Sequence, residues 1–216
     1  MSTTSQSQQW SGDFGQAYTE RNPQSAAEMD KWFIELYGVA STAVFSEFLQ
    51  GVDRSIHILE VGCNTGAQLE ILERSGFKQL TGVDVSKFAL ERAASRVPSI
   101  AFCQASGLSL PFPDLHFDLV YTTGVLIHIA PRDLPKIMSE IVRCSKRYIF
   151  GFEYYADKLT EIPYHGHSHL MWKGDYPSLY QQVSSSLTVN MRRKYPYRAD
   201  SNVDEGFLLQ VGPAGA

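Results

Sequence analysis

Short apolar runs alternate with stretches of helical periodicity from residue 56 to residue 153. This alternation predicts strand–helix–strand units and therefore a parallel sheet covered by helices on both faces. The predicted strands are residues 56–61, 79–83, 100–103, 117–122 and 147–153. The predicted helices between them are residues 67–75, 87–96 and 131–144.

Helix-terminating and helix-starting residues stand at the expected places. Gly76 follows the first predicted helix, where a left-handed residue is favoured. Ser86 is placed as the N-cap of the second helix, and Pro98 prevents that helix from continuing. Pro131 suits the first turn of the third helix. These residues support the predicted boundaries.

The two ends of the chain depart from the alternation. Residues 187–194 and 205–211 are strand-like runs joined by a polar loop without a helix, which predicts an antiparallel hairpin at the edge of the sheet. Residues 26–37 and 39–49 are helical in pattern. We therefore expect an α/β three-layer sandwich with a mostly parallel seven-stranded sheet. A helical cap is expected over residues 1–50, and a main domain over 51–216 with an insertion near 154–176.

Composition narrows the class of protein. The 216 residues are 44% hydrophobic and 19% charged, which is typical of one globular domain. The net charge of −4 argues against a nucleic-acid partner, and the basic residues 191–194 are interpreted as a solvated strand face. No apolar run approaches the ~20 residues that span a bilayer. The polar residues 1–9 are expected to be a frayed tail and not a signal peptide.

The cysteine pattern indicates the redox environment of the protein. Cys63, Cys103 and Cys144 are odd in number, lie far apart and form no C-x-x-C pair. Neither a disulfide framework nor a zinc site is indicated by this pattern. A cytoplasmic location is therefore expected.

The glycine-rich segment after the first strand is the candidate ligand-binding loop. Ile58-Leu-Glu-Val-Gly-Cys-Asn-Thr-Gly66 places Gly62 where the backbone must approach a ligand closely and Gly66 at the entry to a helix. It resembles motif I of class I S-adenosylmethionine-dependent methyltransferases, and the terminal hairpin also distinguishes that fold from a plain dinucleotide-binding one. Glu60 would orient the loop or receive the cofactor ammonium through water; the alternative is a capping carboxylate.

The same resemblance extends to the strands that follow. Asp84 ends the second strand, where a carboxylate would accept both ribose hydroxyls or serve as a helix N-terminal charge. The resemblance also places Asn64 and Val85 at the cofactor. Ser106 stands where the family usually has an adenine-binding Asp, and a hydroxyl accepts that hydrogen bond more weakly.

The fourth strand ends in a candidate catalytic loop. Thr123, Gly124 and Val125 are expected beside the sulfonium, by the same resemblance. His128 lies just past the strand, where it would act as a base or hold the loop through a hydrogen bond.

Aromatic and ionisable residues are concentrated after the fifth strand. Their expected roles are contact with the sulfonium through an aromatic face, proton acceptance from a substrate, or packing of a lid. The candidate catalytic residues in this stretch are Glu153, Tyr154, Tyr164, His167 and Tyr176. His165, His167 and His169 alternate, so an extended chain would place them on one face that could hold a divalent metal. Three histidines within five residues are poor metal geometry without a carboxylate partner close by, so no metal is expected.

The N-terminal segment is unusually aromatic. Tyr18 and Arg21 suit the cofactor carboxylate, since a guanidinium binds carboxylate in a fork; the alternative is a packed helix with Arg21 exposed. This segment, the Gly124–His128 stretch and the Tyr164 and Trp172 regions together resemble bacterial methylases associated with pseudaminic acid biosynthesis.

Three functions follow from these resemblances. The leading prediction is methyl transfer from S-adenosylmethionine to oxygen or nitrogen of a small polar molecule such as a sugar or an amino-acid-like intermediate. The alternatives are a cyclase that converts the cofactor into azetidine-2-carboxylate and methylthioadenosine, and a non-catalytic cofactor-binding regulator. A small-molecule substrate is expected, with no membrane partner. The sequence does not indicate an oligomeric state.

Overall fold

A computed structural model describes residues 5–164, 166 and 168–212. The chain forms two compact units, Met1–Gly107 and Leu108–Ala216. None of the helices in the described part is long and apolar enough to cross a membrane.

The first unit holds the described N-terminal helices and three parallel strands. Its helices are α1 (Ser5–Ser11), α2 (Asp13–Arg21), α3 (Ala26–Tyr37), α4 (Ser41–Phe48), α5 (Ala67–Arg74) and α6 (Lys87–Arg96). Its strands are β1 (His57–Val61), β2 (Gln79–Asp84) and β3 (Ala101–Gln104), paired in parallel in the order β1-β2-β3.

The second unit continues with strands of both directions. Its strands are β4 (Phe117–Thr123), β5 (Ser145–Tyr154), β6 (Thr160–Glu161), β7 (Trp172–Lys173), β8 (Leu187–Pro196) and β9 (Val203–Val211). Its helices are a short 3-10 turn (Leu126–His128), α7 (Leu134–Cys144) and α8 (Tyr176–Val183). β4 and β5 are parallel, whereas β9 pairs antiparallel with both β5 and β8.

The main sheet has seven strands in the order β3-β2-β1-β4-β5-β9-β8. The expected mixed sheet, mostly parallel and ending in an antiparallel hairpin, is therefore confirmed. Two small strands, β6 and β7, form a separate antiparallel pair within the predicted insertion.

Helix boundaries follow the capping residues. Ser86 accepts a hydrogen bond from the Ala89 N–H and starts α6, as predicted. Gly38 at φ +80° ends α3, and Gly76 at φ +99° follows α5.

Two expectations about helix starts are wrong. α7 begins at Leu134 with Pro135 in its first turn, so Pro131 lies in the preceding turn. The expected polar tail is helical from Ser5, because the Trp10 ring packs edge-on against Phe14 and Tyr18 of α2, with centroids 5.1 Å away in both pairs.

β2 packs closely because it contains Gly82. A Cβ on Gly82 would lie 2.7 Å from the Cys63 Sγ and 2.8 Å from a Leu69 methyl. Only glycine at this position lets the loop after β1 and the start of α5 lie directly on the sheet. The sequence pattern does not show this requirement, because it arises from the loop and the helix that pack against β2.

Candidate functional site

The loop between β1 and α5 is held in a shape that favours glycine. Gly62, Asn64 and Gly66 have φ values of +77°, +46° and +70°. The Gly62 and Cys63 N–H groups both donate to the Val83 carbonyl, at 2.8 and 3.0 Å. A Cβ on Gly66 would lie 3.0 Å from the Phe102 ring. The predicted strand–loop–helix context of this motif is therefore present.

Asp84 braces this loop through both carboxylate oxygens. Oδ2 accepts from the Asn64 N–H and Oδ1 from the Ser86 N–H, both at 2.8 Å. A carboxylate has about four lone-pair sites, so acceptors remain for ribose hydroxyls. Asp84 therefore has a structural role in this loop, and its contact with the ribose stays a prediction.

One further carboxylate, that of Glu60, and one thiol, that of Cys63, are buried at this loop. Glu60 is 3% exposed and Cys63 is 4% exposed. Burial, reinforced by the Asp84 and Glu60 carboxylates, raises the pKa of the Cys63 thiol well above its ordinary value. Cys63 is therefore a neutral thiol that packs against the sheet. Cys144 is also buried, and Cys103 is partly exposed.

The N-terminal helices reach the loop by a residue that sequence reasoning missed. The Thr19 hydroxyl donates to the Asn64 Oδ1 at 2.9 Å, and Thr19 is 2% exposed. Tyr18 is partly exposed and packs against Trp10, while Arg21 is exposed. In the sequence, Thr19 could have been noticed because it lies one helical turn after Gly15 on the same helix face. Only the structure shows that it contacts Asn64.

The adenine-side candidates follow β2 and β3. Val85 and Ser106 are both partly exposed. The Gln104 side-chain amide donates to the Val85 carbonyl at 3.0 Å, and the Ala105 N–H donates to the Asp84 carbonyl at 3.0 Å. These contacts hold the segments that contain Val85 and Ser106 next to each other, and their contact with adenine stays a prediction.

In the second unit, the turn after β4 is held by Glu153. Gly124 has φ +61°, and its N–H donates to the Phe152 carbonyl at 2.9 Å. The Glu153 carboxylate accepts from the Val125 and Ile127 N–H groups at 3.3 and 3.4 Å. Burial raises the pKa of Glu153 to about 7, against the lowering effect of these N–H groups. This geometry favours an anchor for the turn over a base that faces substrate. Thr123 immediately precedes Gly124 at the end of β4.

His128 is buried and bonded at one ring nitrogen. Its Nδ1 lies 2.8 Å from the Leu170 carbonyl oxygen, which only accepts, so Nδ1 carries the proton. Burial lowers the pKa of His128 to about 4. The Tyr164 ring lies 5.0 Å from the imidazole, centroid to centroid. His128 therefore holds the loop as a neutral ring.

We expect nuclear magnetic resonance to show His128 as a neutral Nδ1–H tautomer throughout pH 5 to 8. The reason is that burial opposes the imidazolium and the Leu170 carbonyl fixes the tautomer. Ring nitrogen shifts of the labelled protein would measure both properties. Protonation of this ring with a midpoint near neutrality would contradict the assignment.

The remaining aromatic candidates are packed within the second unit. Tyr154 stacks on Tyr197 with centroids 5.8 Å apart, and the Lys173 ammonium lies 5.4 Å from the same Tyr154 ring. Tyr176 is 1% exposed and its hydroxyl donates to the Trp172 carbonyl at 3.0 Å. These contacts favour packing roles for Tyr154 and Tyr176.

His165 and His167 lie outside the described residues. Across the described part of the chain, no group of three or more histidine, cysteine, aspartate or glutamate residues has a metal-binding arrangement. His169 is exposed and pairs with the Glu161 carboxylate at 3.0 Å.

Part of this arrangement is similar to a known protein family. Residues 58–147 match the family model described as a methyltransferase domain. The matched stretch runs from β1 into β5, and thus contains the glycine loop, Asp84 and His128.

Curated relatives that are similar to parts of this chain are methyltransferases. O-methyltransferase cnsE of Penicillium expansum is 37% identical over 114 residues, which are 50% of this chain and 40% of that protein. The chain spans 31–42% of the length of three curated relatives that it matches.

Two solved structures share the fold. One is 1,6-didemethyltoxoflavin-N1-methyltransferase of Burkholderia thailandensis with bound S-adenosylhomocysteine, which has a TM-score of 0.68 and 14% identity and covers 93% of this chain and 90% of that one. The other is the 4+2 cyclase SpnF, with a TM-score of 0.65 and 16% identity over 81% of this chain and 80% of that one. At these identities the likeness shows the fold alone. The expected Rossmann-like methyltransferase fold is confirmed, and S-adenosylmethionine is confirmed as the cofactor of the family.

Proposed function

We propose that this protein is an S-adenosylmethionine-dependent methyltransferase that acts on oxygen or nitrogen of a small polar metabolite in the cytoplasm. The observation that carries the proposal is the loop at residues 62–66, with three positive φ values and Asp84 bonded to its Asn64 N–H. When bound, the cofactor supplies an electrophilic methyl group on sulfur. The residues present fit such a cofactor.

We assign each part of the cofactor to candidate groups in the first unit. The Gly62–Gly66 backbone would hold the methionine end at the start of α5, and Glu60 suits its ammonium through water. Asp84 would accept the ribose hydroxyls, and Val85 and Ser106 would flank the adenine. Tyr18 and Arg21 would reach the cofactor carboxylate from α2.

Groups of the second unit would act on the acceptor side. Thr123, Gly124 and Val125 would line the turn near the sulfonium, and His128 would act there as a neutral ring that accepts a hydrogen bond. Tyr164 and His167 complete the proposed catalytic set. Methyl transfer needs chiefly positioning and exclusion of water, so a strong base is unnecessary for an unprotonated acceptor.

The acceptor class rests on resemblance and on relatives. The chain resembles methylases associated with pseudaminic acid biosynthesis, which supports a sugar or amino-acid-like acceptor. The relatives named above include an O-methyltransferase and an N1-methyltransferase. A small acceptor is also consistent with a formal net charge of −4, which disfavours nucleic acid.

We test the function by incubating the protein with S-adenosylmethionine, first alone and then with pools of small polar metabolites. Mass spectrometry is expected to show S-adenosylhomocysteine only when an acceptor is added. Methylthioadenosine formed from the cofactor alone would indicate the cyclase instead. Binding of S-adenosylhomocysteine without turnover on any pool would favour the regulator, and absence of binding would refute all three functions.

Asp84→Ala is expected to weaken S-adenosylhomocysteine binding by about 1.5–3 kcal/mol, the scale of hydrogen bonds to a charged group. It is also expected to lower the thermal midpoint of the ligand-free protein, because the Asn64 and Ser86 N–H groups lose their acceptor. Calorimetric titration and thermal unfolding measure the two effects. A lower midpoint with unchanged affinity would leave Asp84 with a structural role alone.

A further inference from the structure

Arg96 connects helix α6 to the cofactor loop. It is the last residue of α6, and its side chain is 26% exposed. One guanidinium nitrogen donates to the Thr65 carbonyl at 2.6 Å, and another forms an ion pair with Glu70. A single side chain therefore contacts both the loop backbone and the helix that the loop starts.

Glu70 ties the same network to the N-terminal helices. Its side chain is 10% exposed and accepts from the Ala26 N–H at the start of α3 at 2.9 Å. Burial acts to raise the pKa of Glu70, but the Ala26 N–H and the Arg96 and Arg74 guanidinium groups together lower it. Glu70 is therefore a fixed anion that orients the Arg96 guanidinium.

The contact with Thr65 controls the peptide that begins α5. The Gly66 N–H on that peptide donates to the Cys63 carbonyl at 2.8 Å, while its Thr65 carbonyl accepts from Arg96. The peptide plane is thus held from both sides. Ala93, one turn before Arg96 on α6, would contact a Cβ on Gly66 at 3.7 Å. The orientation of this peptide sets the direction in which the first N–H groups of α5 face.

We propose that Arg96 is a positioning residue for the cofactor, because its guanidinium fixes the Thr65–Gly66 peptide of the binding loop while Glu70 fixes the guanidinium. Arginine suits this role because its planar fork serves a carbonyl and a carboxylate at once, whereas a lysine ammonium is a point charge on a flexible stem. This proposal rests on the proposed function, since it assigns the loop to S-adenosylmethionine.

The chain offers a matched control in Arg74. Arg74 pairs with the other oxygen of Glu70, but its side chain is 63% exposed, and its ion pair is with Glu70 and not with the loop. Arg74→Met therefore removes one Glu70 ion pair and leaves the Thr65 contact in place. Arg96→Met removes an ion pair with the same carboxylate and the loop contact together. Arg96→Lys keeps the positive charge but loses the planar guanidinium that contacts the Thr65 carbonyl and the Glu70 carboxylate at once.

The experiment is calorimetric titration of S-adenosylhomocysteine into the wild type and the three variants, with thermal unfolding of each ligand-free protein. We expect Arg96→Met to weaken binding by about 10-fold or more, as expected for loss of a charged hydrogen bond. Arg96→Lys should fall between Arg96→Met and the wild type. Arg74→Met should bind within about twofold of the wild type, the scale of an exposed ion pair.

The outcomes separate this proposal from the proposed function. If the wild type fails to bind S-adenosylhomocysteine, the function fails and the assignment of Arg96 falls with it. If the wild type binds and Arg96→Met matches Arg74→Met in affinity, Arg96 is structural and the proposal alone is overturned. Where Arg96→Met unfolds, the comparison of Arg96→Lys with Arg74→Met decides between the same two results.

Discussion

Replacing Gly62 with valine is expected to abolish measurable binding of S-adenosylhomocysteine. Gly62 has φ +77°, in a region where a β-branched residue is a steric outlier, and its backbone would approach the ligand. Forcing an L-residue into this region costs roughly 1–2 kcal/mol. The larger effect is therefore expected on binding, through displacement of the loop and obstruction of the ligand by the new side chain. Calorimetric titration measures it.

Gly51 supplies the control for this substitution. It has φ +74° and nothing within 4 Å of its would-be Cβ, and it lies between α4 and β1. Gly51→Val thus introduces the same side chain at the same kind of backbone conformation away from the loop. We expect similar losses of thermal stability in both variants and a loss of binding in Gly62→Val alone. Wild-type affinity in Gly62→Val would disprove the assignment of the loop.

Replacing Glu153 with glutamine is expected to change how stability depends on pH. Burial raises the pKa of Glu153 to about 7, so the folded protein retains a proton that the unfolded chain releases at lower pH. The free energy of unfolding of the wild type should therefore fall as pH rises from about 5 to 7 and level off above that. Relative to Glu153→Gln, the wild type should lose about 3 kcal/mol between pH 5 and pH 8.

Urea unfolding of both proteins from pH 5 to pH 8 measures this difference. Tyr176 and Tyr180 face the carboxyl from α8, and their pKa values are raised by burial and by Glu153. Glu205 lies opposite Glu153 on the neighbouring strand and forms an ion pair with Arg192. This ion pair is present in both the wild type and Glu153→Gln. The exposed Glu91→Gln serves as a control, and it should follow the wild type. Parallel curves for the wild type and Glu153→Gln would contradict a buried, titrating Glu153.

The parallel strands and the glycine loop were predictable because their signals are local. Apolar runs of strand length and the Gly62–Gly66 spacing each depend on neighbouring residues in the chain. β3 and α6 were placed within about one residue, since Ser86 and Pro98 mark that helix in the sequence alone.

The roles of individual site residues depended on contacts that the sequence does not encode locally. Glu153 was a candidate base because it ends the predicted fifth strand, but its carboxylate accepts from N–H groups more than 25 residues earlier. Arg96 and Thr19 reach the loop from 31 and 45 residues away, so no motif includes them. Helix α8 was missed because the residues around Tyr176 were assigned to sulfonium contact, proton acceptance or a lid. Asp175 caps the helix by accepting from the Ser178 N–H.

The unequal burial of the three cysteines has a practical consequence for labelling. Cys63 and Cys144 are buried thiols whose pKa values are raised by burial, so they are poor nucleophiles toward alkylating reagents. Cys103 is partly exposed and lies on β3, three residues before Ser106. A maleimide fluorophore would therefore attach selectively at Cys103 without mutagenesis, and its emission would report on ligand arrival beside the proposed adenine contact at Ser106.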